Sequence, residues 1–199
     1  MKEWRSIKRL SKLRGKLTVL YGSIFFIRDH FLTIFALGLI AAFGRVIQLG
    51  CFGEIPSWVN VGTEVAVETS RILIFLFVLG VANIKSGARL LKRFFANRFT
   101  LKASWAIAKR KIRTQWVQIS LSFAGFLIIA AGINFLIDTL AYETCLLLTL
   151  KSDGILVDTS SEWTVLLFFK NILVIPFTIV FETLLLLWIT REQPLNSTQ

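Results

Sequence analysis

Six ionisable side chains stand inside or beside long apolar runs of this sequence: Arg45, Glu64, Glu68, Arg71, Lys170 and Glu182. A charge placed in hydrocarbon costs on the order of 2.5–3.5 kcal/mol by insertion scales, so it persists only where it is paired, hydrated or used. Glu64, Glu68 and Arg71 recur at spacings of four and three, which sets them on one helical face. Two readings fit. One is a polar vestibule or ion pathway. The other is a structural ion-pair cluster near an interface, with long side chains reaching toward water.

Glu182 is a different case. No basic residue lies within a turn of it, and Arg191 is nine positions on. Asn171, Thr178 and Glu182 are spaced to share a face at 3.6 residues per turn. Pro176, between them, removes a backbone donor. A carboxylate beside a broken helix is a recurrent way to build a proton or ion site. The plainer reading is a carboxylate near the inner surface and a proline that only bends its helix.

Cys51 and Cys145 are the only cysteines. Both fall between apolar runs, on the side that the charge pattern makes external. An oxidising compartment permits a bridge there, and two free thiols are the alternative. Enzyme signatures are absent: no HExxH, GxSxG, P-loop or CxxC occurs. His30 is the single histidine. One imidazole supplies neither both axial ligands of a haem nor a histidine-rich metal site. No catalytic residue, no cofactor and no metal is expected, and the chain reads as a non-enzyme.

The elements that position these residues can be read from composition. Of 199 residues, 55% are hydrophobic and 18% charged, with mean hydropathy +0.68. Soluble domains carry roughly 25% charge. A soluble core of this size cannot bury so much apolar surface, so lipid must cover it. The fold class expected is all-α: a polytopic four-helix transmembrane bundle with a basic amphipathic N-terminal helix.

Charge gives the orientation. Residues 1–30 hold eight of the 23 Lys and Arg, and residues 85–113 hold ten with no Asp or Glu. Those ten are Lys85, Arg89, Lys92, Arg93, Arg98, Lys102, Lys109, Arg110, Lys111 and Arg113. Cytoplasmic segments retain such clusters, so both are placed inside, and the acidic 138–163 segment outside. A nucleic-acid role would need a soluble basic module, and none is delimited.

Residues 1–30 are expected as an interfacial helix, with Trp4, Ile7, Leu10, Leu13, Leu17 and Leu20 as its apolar face. The membrane domain covers 31–190, with spans at about 31–50, 62–84, 114–137 and 163–190. Between the middle spans lies a basic hairpin, 85–113, turning at Asn97-Arg98. A polar tail, 191–199, comes last. Gly38, Ala41, Ala42 and Arg45 form one expected packing seam, and Gln118, Ser122, Gly125 and Gly132 another.

The functional expectation is a small channel- or transport-type membrane component acting as an oligomer. The alternative is a non-transporting interaction or accessory subunit whose basic cytoplasmic surface docks a partner or anionic lipid. The expected partners are the bilayer, anionic lipids, and further copies of the chain or other membrane proteins, with no nucleic acid. The expected location is the plasma membrane of a bacterium, both termini cytoplasmic.

Overall fold

The computed structural model describes residues 17–96 and 98–190, with side chains described in the second stretch from Ser104 onward. Residues 1–16, Asn97, the 191–199 tail and the side chains of Arg98 and Lys102 lie outside the described residues. So does most of the expected N-terminal amphipathic stripe.

Every regular element among the described residues is helical. In chain order these are α1 (Thr18–Asp29), α2 (Phe31–Gln48), α3 (Ser57–Leu79), α4 (Ile84–Ala96), α5 (Arg98–Thr114), α6 (Trp116–Tyr142), α7 (Leu146–Ser152) and α8 (Glu162–Phe169). A π-helical turn (Lys170–Val174) then leads directly into α9 (Ile175–Thr190). Three stretches are long and apolar enough to cross a membrane: Phe31–Gln48, Trp116–Tyr142 and Glu162–Thr190. The bent pair α3 and α4 makes a fourth if counted as one span.

The long helices alternate in direction. Ile34 clusters with Phe77 and Val78, while Arg45 meets Glu64, so α2 and α3 run antiparallel. The α8–α9 rod runs antiparallel to both α2 and α6. Phe43 meets Phe168 on the first side, and Phe126 meets Phe177 and Phe181 on the second. The Phe126 and Phe181 rings stack 4.4 Å apart, and Phe181 is fully enclosed. Aromatic stacking of this kind contributes about 0.5–1.5 kcal/mol beyond the area it buries.

Small residues set the closest approaches. Gly38 lies against the π turn, where a methyl group would stand 3.1 Å from the Asn171 carbonyl oxygen and 3.3 Å from Pro176. Ala41 and Ala42 are buried beside it, as the expected seam requires. On α6 the seam is shorter than its spacing suggests. Ser122 is buried, and a methyl group at Gly125 would meet Leu20 of α1 at 2.7 Å. Gly132 has nothing within 4 Å. The seam stops because α1, its partner, reaches no further along α6.

α1 is itself a departure. Leu17 and Leu20 pack into the helical core beside Phe126, Phe177 and Phe181. These two members of the expected interfacial stripe therefore sit among the long helices, drawn there by the space over Gly125.

The second expected span, to residue 84, ends five residues early. Val81 N–H donates to Val78 and Ala82 N–H to Phe77, closing a Schellman turn with both residues at positive φ, 48° and 66°. Asn83 then caps α4 by accepting from Ser86 N–H at 3.0 Å. α4 leaves at 86° to α3. A side chain on Gly80 would strike the Asn83 carbonyl and the Gly87 nitrogen, and one on Gly87 the Leu76 carbonyl. Two backbones in direct contact fix the right angle.

Candidate functional site

Four of the six candidate charges join one ladder across α2 and α3. Arg45 Nη1 donates to Glu64 Oε2 at 2.7 Å and to Gln48 Oε1 at 2.7 Å. Its Nη2 reaches Glu68 Oε1 at 3.3 Å. Glu68 Oε1 also accepts from Arg71 Nη1 at 2.7 Å. Arg71 Nη2 donates to Asn171 Oδ1 at 3.0 Å, carrying the ladder into the π turn. Gln48 Nε2 closes the far end on Glu64 Oε2 at 2.7 Å. Two cations face two carboxylates, so the ladder is neutral. It is also one-sided: the Glu64 and Glu68 side chains are 48% and 47% exposed, while both guanidiniums turn inward.

The ladder forms because spacing meets register. Glu64, Glu68 and Arg71 share a face of α3, as their sequence positions require, and the antiparallel α2 brings Arg45 to that face. Gln48, one turn after Arg45, could have been found from the same spacing. Asn171 could not, because a π turn presents it.

Lys170 stands apart from the ladder. Its Nζ lies 3.9 Å from Asp138 of α6. Lys170 and Asn171 are adjacent in sequence yet address different helices, α6 and α3. Successive residues of a helix project about 100° apart, which lets the two side chains reach different neighbours. The wide loop of the π turn is closed by Ile175 N–H donating to Lys170 O, and it sits directly before Pro176, where the regular hydrogen-bond pattern is already broken.

The same turn corrects the face expected for Asn171, Thr178 and Glu182. Asn171 is 1% exposed and Glu182 is exposed. Counting at 3.6 residues per turn fails across a π turn, which rotates every later residue about the axis. Glu182 lines a shallow groove of about 360 Å³ between α3 and α9 together with Arg71, Ile72, Phe75 and Leu186. No ion pair closes between Arg71 and Glu182.

Cys51 and Cys145 are both free thiols. Cys51 is buried, with its Sγ 2.9 Å from Thr164 Oγ1, and its carbonyl accepts from Val157 N–H. Cys145 is exposed just before α7. Of the two alternatives, a bridge or two free thiols, the structure holds the second: Cys51 points into the α8 packing, where Thr164 satisfies it. His30 packs between the rings of Phe26 and Phe77.

The basic stretch divides into two parts. On α4, Lys85, Arg89, Lys92 and Arg93 are exposed along one face, and none makes an ion pair among the described residues. Leu91, Phe94 and buried Gly87 lie on the opposite side. On α5, Lys109, Arg110 and Arg113 are exposed with Trp105 and Ile112.

Lys111 departs from the expected outward-facing set. It is 8% exposed, and Nζ donates to the Trp188 carbonyl at 2.6 Å with the indole ring 5.1 Å away. It shares the α5 face of buried Ala108, which packs inward. The last carbonyls of α9 lack helical partners, so an ammonium there caps the helix and meets its negative end. Burial, with the Arg110 charge second, pushes the Lys111 ammonium below the usual lysine range.

Compared with protein-family models, curated proteins and solved structures, the chain matches none.

Proposed function

We propose that the chain is a four-span membrane protein of the interaction class, not an enzyme, whose basic surface engages anionic lipid headgroups. Residues 31–190 form the membrane domain, residues 1–30 precede it at the cytoplasmic face, and 191–199 is a cytoplasmic tail. The bacterial plasma membrane is the setting.

The observation that carries this reading is α4. A helix of 23 residues, about 35 Å long, is long enough to cross the hydrocarbon. A second helix at 86° to it then lies in the plane of the bilayer surface. Its exposed Lys85, Arg89, Lys92 and Arg93 are left for phosphate groups, while Ile84 and Phe95 offer apolar contact with the acyl boundary. Lys and Arg near an anionic surface contribute about 1 kcal/mol each, screened by salt. The ladder favours the same class, since Arg45, Glu64, Glu68 and Arg71 satisfy one another instead of lining a passage.

The test uses the full chain in nanodiscs of phosphatidylcholine alone or with phosphatidylglycerol. The unfolding midpoint should rise with phosphatidylglycerol, and the rise should fade with salt. Changing Lys85, Arg89, Lys92 and Arg93 together to Gln should remove most of the rise. An equal response in the variant would reject the reading.

A channel- or transport-type component acting as an oligomer is the second reading. It is favoured by one observation, that Glu182 is exposed on the rod without a partner among the described residues. Reconstituted flux abolished by Glu182→Gln, with abundance unchanged, would support it over the first.

A further inference from the structure

We propose that the chain thins the membrane on one side. Beside α2, α3 and α4 the inner-leaflet phospholipid headgroups are drawn toward the bilayer centre, about 15 Å past their level beside α6. This rests on the membrane-spanning reading above and adds what the chain does to the bilayer around it.

The outer boundary is level around the bundle. Phe43 meets Phe168, which sets Arg45 of α2 and Lys170 of the rod within about a turn of each other in height. Arg45 pairs with Glu64 of α3, and Lys170 with Asp138 of α6. The spanning helices therefore meet their outer charges at one level.

The inner boundary is stepped. Ile34 of α2 and Phe77 and Val78 of α3 cluster with Val180 of α9. At that level α3 ends at Leu79 and α4 turns away at 86°. α2 begins near the same level, at Phe31, just after the exposed Arg28–Asp29 pair. On the other side of α9, Phe181 stacks on Phe126 of α6. From Phe126, α6 has ten residues still to run to its inner end at Trp116, about 15 Å. The uncharged stretches differ accordingly. Trp116–Ile137 of α6 covers about 33 Å, and Phe31–Gly44 of α2 about 21 Å. The first matches a hydrocarbon core of about 30 Å, and the second falls short of it.

Charge marks the inner step. Glu182, exposed and two residues after Val180, stands at the level of the α3–α4 corner. Lys85 opens the basic face of α4 at the same corner. With Arg28 and Asp29 these groups ring one side of the bundle at a height where α6 presents only Phe126, Leu127 and Ile128. Such charges are costly in hydrocarbon and tolerated in a headgroup layer. A bilayer meets a short apolar face by thinning.

The experiment uses the full chain with Cys145→Ser, which leaves only the buried Cys51, in phosphatidylcholine–phosphatidylglycerol nanodiscs open to reagent on both faces. Leu32→Cys on α2, 80% exposed, is compared with Leu127→Cys on α6, 50% exposed at the matching height. A membrane-impermeant maleimide should label residue 32 at least about tenfold faster than residue 127, because the reactive thiolate forms in water and not in hydrocarbon. Phe31→Cys against Ile128→Cys repeats the comparison where either of the first two variants folds poorly. Slow labelling on both helices would mean a level inner boundary, which overturns the step and leaves the spanning reading intact. Fast labelling on both would mean that α6 is not in hydrocarbon at this height, which rejects the spanning reading as well. Faster labelling on α6 would put the thin side opposite α4 and overturn the proposal.

Discussion

Arg71 of α3 donates to Asn171 of the π turn at 3.0 Å, joining residues one hundred positions apart. The amide is held for this task, because its Nδ2 donates to the Leu167 carbonyl at 2.7 Å and leaves Oδ1 facing the guanidinium. A hydrogen bond to a charged group is worth about 1.5–3 kcal/mol. Asn171→Leu keeps the volume and removes the acceptor, so unfolding in detergent should show a loss of that size. Thr178→Val, which removes only a bond to the Val174 carbonyl within the same helix, should cost far less. Equal losses would mean that the amide does not anchor the ladder.

The α3–α4 corner depends on two glycines. A methyl group on Gly87 would collide with the Leu76 carbonyl, and one on Gly80 with the Asn83 carbonyl. Backbone cannot step aside as a side-chain tip can. Gly80→Ala and Gly87→Ala should each cost several kcal/mol, on the order of 3, or prevent accumulation in the membrane. Gly62 and Gly132 have open space around them in helix interiors. Alanine at either should be neutral or stabilise by about 0.5–1 kcal/mol. Thermal midpoints of the four variants decide whether close approach or helix propensity governs each site.

Much of this was legible in the sequence, and the losses share a cause. Periodicity placed the helices and put Glu64, Glu68 and Arg71 together, because local spacing alone determines a helical face. It supplied Arg45 as well, from the small residues around it. It missed the π turn, since no composition rule separates Lys170–Val174 from the apolar run around it. That turn separates Asn171 from Glu182. The break at Gly80 was missed for a related reason. Leu90, Leu91, Phe94 and Phe95 continue a helix-like pattern, and only the backbone contact of Gly80 with Gly87 shows that the axis turns. Lys111 was read with its basic neighbours, though its burial depends on where α9 ends.

The two thiols should behave differently toward one reagent. Cys145 is exposed and Cys51 is buried against Thr164. On the proposed topology, a membrane-impermeant maleimide added to intact cells should label Cys145 and spare Cys51 until the chain is unfolded. A reporter fused after Asp153 should behave as external, and one after Ala96 as cytoplasmic. Labelling that requires permeabilisation would invert the topology. A bridged species on non-reducing gels would show Cys51 leaving its contact with Thr164.

Lys111 gives a pH dependence whose sign can be worked out. Its folded pKa lies below the ordinary 10.5, chiefly because burial disfavours the ammonium. The unfolded chain therefore binds this proton more tightly than the folded one. Stability rises with pH wherever the unfolded state holds more protons. The Lys111 contribution should be flat below the folded pKa, increase as pH climbs from there toward 10.5, and level off above. Lys111→Met keeps an unbranched apolar stem and removes the titration. The difference in unfolding free energy between the natural chain and Lys111→Met, measured from neutral to alkaline pH, should move in favour of the natural chain across that window. Effects of the other lysines cancel in the difference. The opposite slope would mean that the Trp188 carbonyl and ring stabilise the ammonium by more than burial costs it, making this contact a charge-dependent clasp between α5 and α9.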